Sequence, residues 1–180
     1  MTDPRILLRR LGAPGDLGWV VMAHGEQYTA EFGWDAGFEA LVAKIVADHA
    51  SGHDPAREGA WMAEIDGRRV GCIFCVAADQ SMAKLRLLLV SPEGRGHGLG
   101  GRLVDECITF AAAAGYERMT LWTNDVLVAA RQIYLSRGFT LVAEDRHNSF
   151  GADLVGQIYD LDVSAGVATH DTARPTSRHA

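Results

Sequence analysis

The sequence predicts a mixed α/β domain in which about four helices flank a central, mostly antiparallel, twisted sheet of about seven strands. Three observations predict it. Short apolar runs read as strands, separate stretches carry apolar residues at helical spacing, and an Asp-Gly turn joins two of the runs into a hairpin. The order along the chain is strand, two helices, a three-strand antiparallel meander, helix, strand, helix and two strands, which layers helices on a sheet.

"RILLRRL" is the first strand. Pro14, Gly15 and Asp16 open a helical stretch that carries Trp19, Val20 and Met22 toward Tyr28, and Gly25 and Gly33 are expected to break it into pieces. From Asp35, an N-cap residue, the side chains Phe38, Leu41, Val42, Ile45 and Val46 fall at i, i+3, i+4, i+7 and i+8. "SGHDPAREG" is a loop, and "AWMAEI", "DGRR" and "VGCIFCVAA" make a hairpin that "AKLRLLLV" extends. Leu99, Leu103, Cys107, Phe110, Ala111 and Ala114 mark the face of a helix stopped by Gly115. "RMTLWT" is a strand, and Asn124 or Asp125 caps a helix from Val126 to Arg137 that Gly138 ends. Phe139 to Ala143 alternates as a strand, "EDRHNSFG" reads as a loop, and "QIYDLDV" is the last strand. The domain is expected over residues 1–163. Residues 164–180 lack apolar periodicity and read as a disordered tail.

With 180 residues, 48% hydrophobic and 22% charged, the composition is that of one soluble globular domain. A net charge of -6 and a pI near 5.6 argue against general nucleic-acid or anionic-membrane binding, so an anionic ligand needs a local cluster. No window approaches the roughly 20 apolar residues of a membrane span. The chain start lacks a signal peptide's apolar core, and a cytoplasmic location is expected. Cys72 and Cys75 form a CxxC within a strand pattern, where residues three apart point to opposite faces; packing rather than metal binding is expected of them, and of Cys107.

"SPEGRGHGLGGRL" follows an apolar strand and precedes an amphipathic helix. Gly96, Gly98 and Gly101 satisfy GxGxxG, the spacing of a dinucleotide fold, whereas Arg95, Gly98 and Gly100 satisfy RxxGxG. The first reading expects a glycine right at the strand end within parallel βα units, but "SPEGR" intervenes and the upstream strands read as antiparallel. In the second, successive N–H groups without Cβ atoms surround a pyrophosphate at the positive end of a helix, with Arg95 or Arg102 adding charge. A third reading makes the glycines a device for tight packing.

"LLLVSPEGRGHGLGGRLVDECITFAAAAGY" followed by "LWTNDVLVAARQIYLSRGF" resembles the acetyl-CoA core of the GNAT family of N-acetyltransferases, over roughly Lys84 to Ala143. The resemblance implies a GNAT-like fold and acetyl-CoA as co-substrate. It implies pantetheine binding by a splayed strand at Leu88, Leu89 and Val90. Arg95 with Gly96, His97, Gly98, Leu99, Gly100 and Gly101 would hold the pyrophosphate, Asn124 and Arg131 would contact the cofactor, and Tyr134 would protonate the departing thiolate. "HGEQYTAEFGWD", "LWTNDVLVAAR" and "HNSFGADLVGQ" are similar to the acetyltransferase half of bacterial MarR-fused regulators. No winged-helix segment precedes Arg5, so direct DNA binding is not expected.

Direct acetyl transfer needs a neutral amine, stabilisation of developing negative charge and a proton for the thiolate. Tyr134 shares a helical stripe with Leu127 and Ala130 and serves either as that acid or as a packing tyrosine; Asn124 is a cofactor contact, a helix cap or both. "RMTLWT" holds no carboxylate, so the base is sought among His24, Glu26, Glu31 and His147, each otherwise a solvated surface residue. Glu31 and His147 are preferred because aromatic residues flank them. Tyr28, Trp34 and Phe150, with Glu31, are candidate acceptor contacts, and core packing is the competing role of Phe32 and Trp34. The expected activity is N-acetylation of a small amine or amino-acid-like metabolite. The rival is a catalytically weak acyl-CoA sensor, which needs only the pantetheine strand and the glycine loop. The resemblance also implies a homodimer through the last strands.

Overall fold

In a computed structural model that describes residues 4–164, seven strands and four helices alternate in the expected order. The strands are β1 (Ile6–Arg10), β2 (Gly59–Ile65), β3 (Arg68–Ala77), β4 (Met82–Val90), β5 (Arg118–Asn124), β6 (Thr140–Ser149) and β7 (Ala152–Asp162). The helices are α1 (Asp16–Phe32), α2 (Ala36–Gly52), α3 (Leu99–Ala113) and α4 (Val128–Ser136). Apart from Ser164, the segment read as a disordered tail lies outside the described residues. None of the described helices is long and apolar enough to cross a membrane.

The strands form one sheet in the order β1-β2-β3-β4-β5-β7-β6, antiparallel throughout except where β4 meets β5. Both faces are covered. Val20, Val42 and Val46 of α1 and α2 pack on Met62, Cys72 and Phe74, whereas Leu103, Val104 and Cys107 of α3 pack on Ile73, Cys75 and Leu85. The period of two along β3 thus sends Cys72 and Cys75 to opposite layers, as free buried thiols.

The expected break at Gly25 does not occur, because α1 runs unbroken through it. A Cβ on Gly25 would lie 2.6 Å from Glu39 Oε2, so the glycine permits the approach of α2 rather than bending α1. Gly33 does end the helix, at φ 68°. Asp35 caps α2 by accepting from the Gly37 N–H at 2.8 Å. Asp16 is wholly buried at the start of α1. It receives Arg9 and Arg69 and the N–H groups of Gly12 and Ala13, which fastens the helix to β1 and β3.

Two further expectations are corrected. "EDRHNSFG" is not a loop: β6 continues to Ser149, and Phe150 and Gly151, both at positive φ, turn it tightly into β7. Helix α4 begins at Val128, and neither Asn124 nor Asp125 caps it by side chain. Asp125 Oδ1 instead accepts from the Val155 N–H at 3.1 Å.

Candidate functional site

Strands β4 and β5 pair only from Met82↔Arg118 to Leu85↔Leu121 and then diverge. The divergence has a local cause. Leu87 sits at φ 55°, and the ladder to β3 slips between Cys72 and Phe74, so β4 carries a bulge that turns it away from its parallel neighbour. The gap opens into two spaces that share Tyr28, Leu88, Leu127 and Ala130 as a common wall.

The larger space is a groove of about 630 Å³ between the end of β4, the glycine loop, the start of α3 and the face of α4. Gly96 (φ 80°) and Gly98 (φ 67°) give the loop a left-handed path that a Cβ would strain. Along it, no backbone N–H from Gly96 through Gly101 donates to an acceptor among the described residues. That cradle, at the positive end of a 15-residue helix, fits a pyrophosphate. Gly100 and Gly101 do a different job: Cβ atoms there would run into Ile133 and the Arg137 guanidinium, so they let α3 lie against α4. Packing thus accounts for Gly100 and Gly101, whereas Gly96 and Gly98 face open space at positive φ.

Of the residues expected to hold a cofactor, Leu88, Leu89, Val90, Arg95, Gly96, Gly98, Leu99, Gly100 and Gly101 line this groove. Three others lie elsewhere. His97 is exposed with Nδ1 against the Arg95 carbonyl at 3.0 Å, and Arg131 donates to the Asp125 carbonyl (3.1 Å) and Tyr159 Oη (3.3 Å). Asn124 is buried at the smaller space instead. Two polar groove residues were missed. Gln27 donates to the Val90 carbonyl at 3.3 Å and keeps Oε1 buried without a partner among the described residues, and Arg137 lies on the wall while held by Asp105 at 2.9 and 3.1 Å. Gln27 is visible only as one turn beyond His24 on the same helix face.

The smaller space is a cavity of about 210 Å³ enclosed by α1, α2, α4, β4 and β5. Tyr28, Trp34 and Phe38 form its aromatic side, with ring centroids 4.5 to 5.1 Å apart. Phe150 stands behind them, 5.1 Å from Trp34, and does not line the cavity. Trp34 is therefore both core and wall. Phe32 lines the groove.

The titratable groups divide by position. Tyr134 is buried on the cavity wall, its hydroxyl takes no hydrogen bond among the described residues, and burial pushes its pKa well above the ordinary phenol range. His24, 1% exposed, places Nδ1 2.8 Å from the Val20 carbonyl. Nδ1 therefore carries the proton, and the Nε2 lone pair has no partner among the described residues. Burial outweighs that bond and pushes the His24 pKa down to about 4, so the ring is neutral at pH 7. Glu31 lies on the groove and is ion-paired to Arg95. His147, in β6, donates from Nε2 to Asn124 Oδ1 at 2.9 Å and accepts at Nδ1 from Ser149 Oγ at 2.9 Å. Glu31 and His147 are thus engaged away from the cavity interior, and of the candidate bases it is His24 that lines it.

A family model described as acetyltransferase (GNAT) family matches residues 21–139. An uncharacterized N-acetyltransferase of Schizosaccharomyces pombe is 30% identical over 125 residues, 68% of this chain and 76% of that protein. An uncharacterized N-acetyltransferase of Archaeoglobus fulgidus is 29% identical over 87 residues, 45% of this chain, which spans 59% of that relative's length. Among solved structures, a protein from Salmonella typhimurium assigned as an acetyltransferase, with its cofactor acetyl-CoA, superposes with a TM-score of 0.71 at 16% identity. That match covers 97% of this chain and 99% of the other.

Proposed function

Since the chain belongs to the GNAT family of acetyltransferases, we propose that it moves an acetyl group from acetyl-CoA to the amine of a small metabolite by direct transfer in a ternary complex. The observation that carries this is the common wall. A groove that fits a pyrophosphate and a cavity that fits a small amine meet at Tyr28 and Leu88, where β4 leaves β5. In this reading acetyl-CoA supplies a thioester, and everything else falls to the chain. The N–H groups of Gly96 to Gly101 hold the pyrophosphate. Glu31 orients Arg95 toward it. The backbone of Leu88 to Val90 seats the pantetheine, and an N–H at Leu89 or Val90 polarises the carbonyl, a contribution of roughly 10² to 10³ in rate in comparable sites. His24 Nε2 accepts the amine's proton, and the Tyr134 hydroxyl, kept protonated by burial, gives one to the sulfur. His147 fixes Asn124 on the cavity wall.

One observation favours a second reading, an acyl-CoA-binding module without turnover, related to regulator-fused acetyltransferases: no carboxylate lines the cavity among the described residues. Calorimetric titration with acetyl-CoA and with NAD, followed by a thiol-release screen across amines, separates the two. Acetyl-CoA binding with release that depends on an amine supports the enzyme; binding with release from none supports the module; binding of NAD alone refutes both. A second copy would pair along the edge strand β6, where Leu141 and Val142 are exposed, and sedimentation of a Val142→Lys variant tests it: an unchanged mass excludes that pairing.

A further inference from the structure

Lys84 and Arg86 stand out among the charges of the molecule. Both lie on β4 at alternate positions, so they project to one face of the sheet, and both line the small cavity. Arg86 is registered with Phe74, which packs under α2, and this puts the pair on the acceptor side rather than under α3. Neither side chain makes a hydrogen bond, an ion pair or a cation–π contact among the described residues, although both are half-buried; Asp48, itself paired with Lys44, acts on Arg86 only from beyond ion-pair distance. The rest of the molecule treats cations differently: every other lysine or arginine among the described residues is either partnered or exposed. Arg9 and Arg69 close on Asp16, Arg137 on Asp105, and Arg131 on Tyr159.

A half-buried cation without a partner is costly, and burial together with their mutual repulsion depresses the Lys84 pKa. In a chain with 23 acidic residues, leaving two such cations unpaired on an aromatic-walled cavity marks a place for an anion from outside. Among the described residues the cavity wall offers no carboxylate, so a simple ammonium entering it would meet two like charges, whereas an acceptor that brings its own anion would neutralise them. Arg86 has the planar fork that matches a carboxylate.

Resting on the acetyl-transfer reading, we propose that Lys84 and Arg86 form an anion clamp and that the acceptor is an α-amino acid with an apolar side chain. Its carboxylate sits on the clamp, its side chain lies against Tyr28, Trp34 and Phe38, and its amine faces His24 and Tyr134. At about 210 Å³ the cavity falls below the roughly 300–1,000 Å³ of drug-sized sites, which suits a single amino acid.

The probes are L-leucine and L-phenylalanine against isopentylamine and phenethylamine, which lack only the carboxylate. Trp34 and Trp122 line the cavity, so tryptophan fluorescence reports occupancy without any turnover. The expected result is a fluorescence change with the amino acids at about tenfold or more lower concentration than with the amines, and a matching preference in kcat/KM for thiol release. Arg86→Gln and Lys84→Gln should each shrink the preference to about twofold while leaving acetyl-CoA affinity unchanged, and Arg86→Lys should restore part of it. Equal response to both sets, no response to either amino acid, or an unaltered preference in the two glutamine variants overturns the clamp. Failure of the acetyl-CoA titration instead overturns the transfer reading, and the fluorescence result still stands or falls without it.

Discussion

Tyr134 and His24 face the same cavity with opposite assignments, and each owes its state to burial. A phenol whose pKa is raised stays a proton donor; an imidazole whose pKa falls to about 4 stays an acceptor at pH 7. Tyr134→Phe is expected to lower kcat by about 10²-fold with KM for the acceptor nearly unchanged, measured by steady-state thiol release; an unchanged kcat removes it as the acid. His24 also ties stability to pH. Its folded pKa lies below the unfolded value near 6.5, so between those values the unfolded chain binds more protons. Stability is full above about pH 6.5 and is lost as pH falls toward 4. His49, pushed down by burial and by His53, adds to the same trend. Urea midpoints at pH 7 and pH 4.5 should differ by less in His24→Gln than in the parent, whatever the variant's absolute stability.

At the scale of elements, the glycine run was legible because a strand, a glycine-rich turn and an amphipathic helix follow one another in the sequence, and local order alone sets that geometry. Gly98→Glu places bulk and negative charge at a left-handed position beside the unpartnered N–H groups, and about 10²-fold weaker acetyl-CoA binding by calorimetry is expected. Binding as tight as the parent's would remove the loop from the cofactor site. Elements whose character depends on a distant neighbour were not legible. Gly25 looks like a break until Glu39 of α2 is seen above it, and β6 hides its length because as an edge strand it carries polar side chains on both faces. The burial of His24 was obscured for the same reason. His24 and His147 read alike in sequence, and only α2 and β4, closing over His24, separate their surroundings.

In the molecule as a whole, two separate cores lie on either face of one sheet, and the buried Asp16 is where the α1 side is fastened to β1 and β3. Its two arginines hold the carboxyl well below the ordinary range, so this stabilisation is present above about pH 3.9 and is lost as pH falls further through the lowered pKa. Asp16→Asn leaves Arg69 without its counter-charge and Arg9 with Glu64 alone, and a loss of about 2–3 kcal/mol by chemical denaturation at pH 7 is expected. A change within 0.5 kcal/mol would make the network incidental. The layering itself was readable from the alternation in β3, since the CxxC spacing already sends one thiol to each layer.

The common wall at Tyr28, Leu88, Leu127 and Ala130 also has a consequence for the donor. In the proposed transfer, groove and cavity share this wall, so any carbon added to the acyl chain is taken from the room left for the acceptor. Donor length and acceptor bulk are therefore one shared quantity. Propionyl-CoA should be used with smaller acceptors and butyryl-CoA with almost none, and trimming Tyr28 should relax the two limits together.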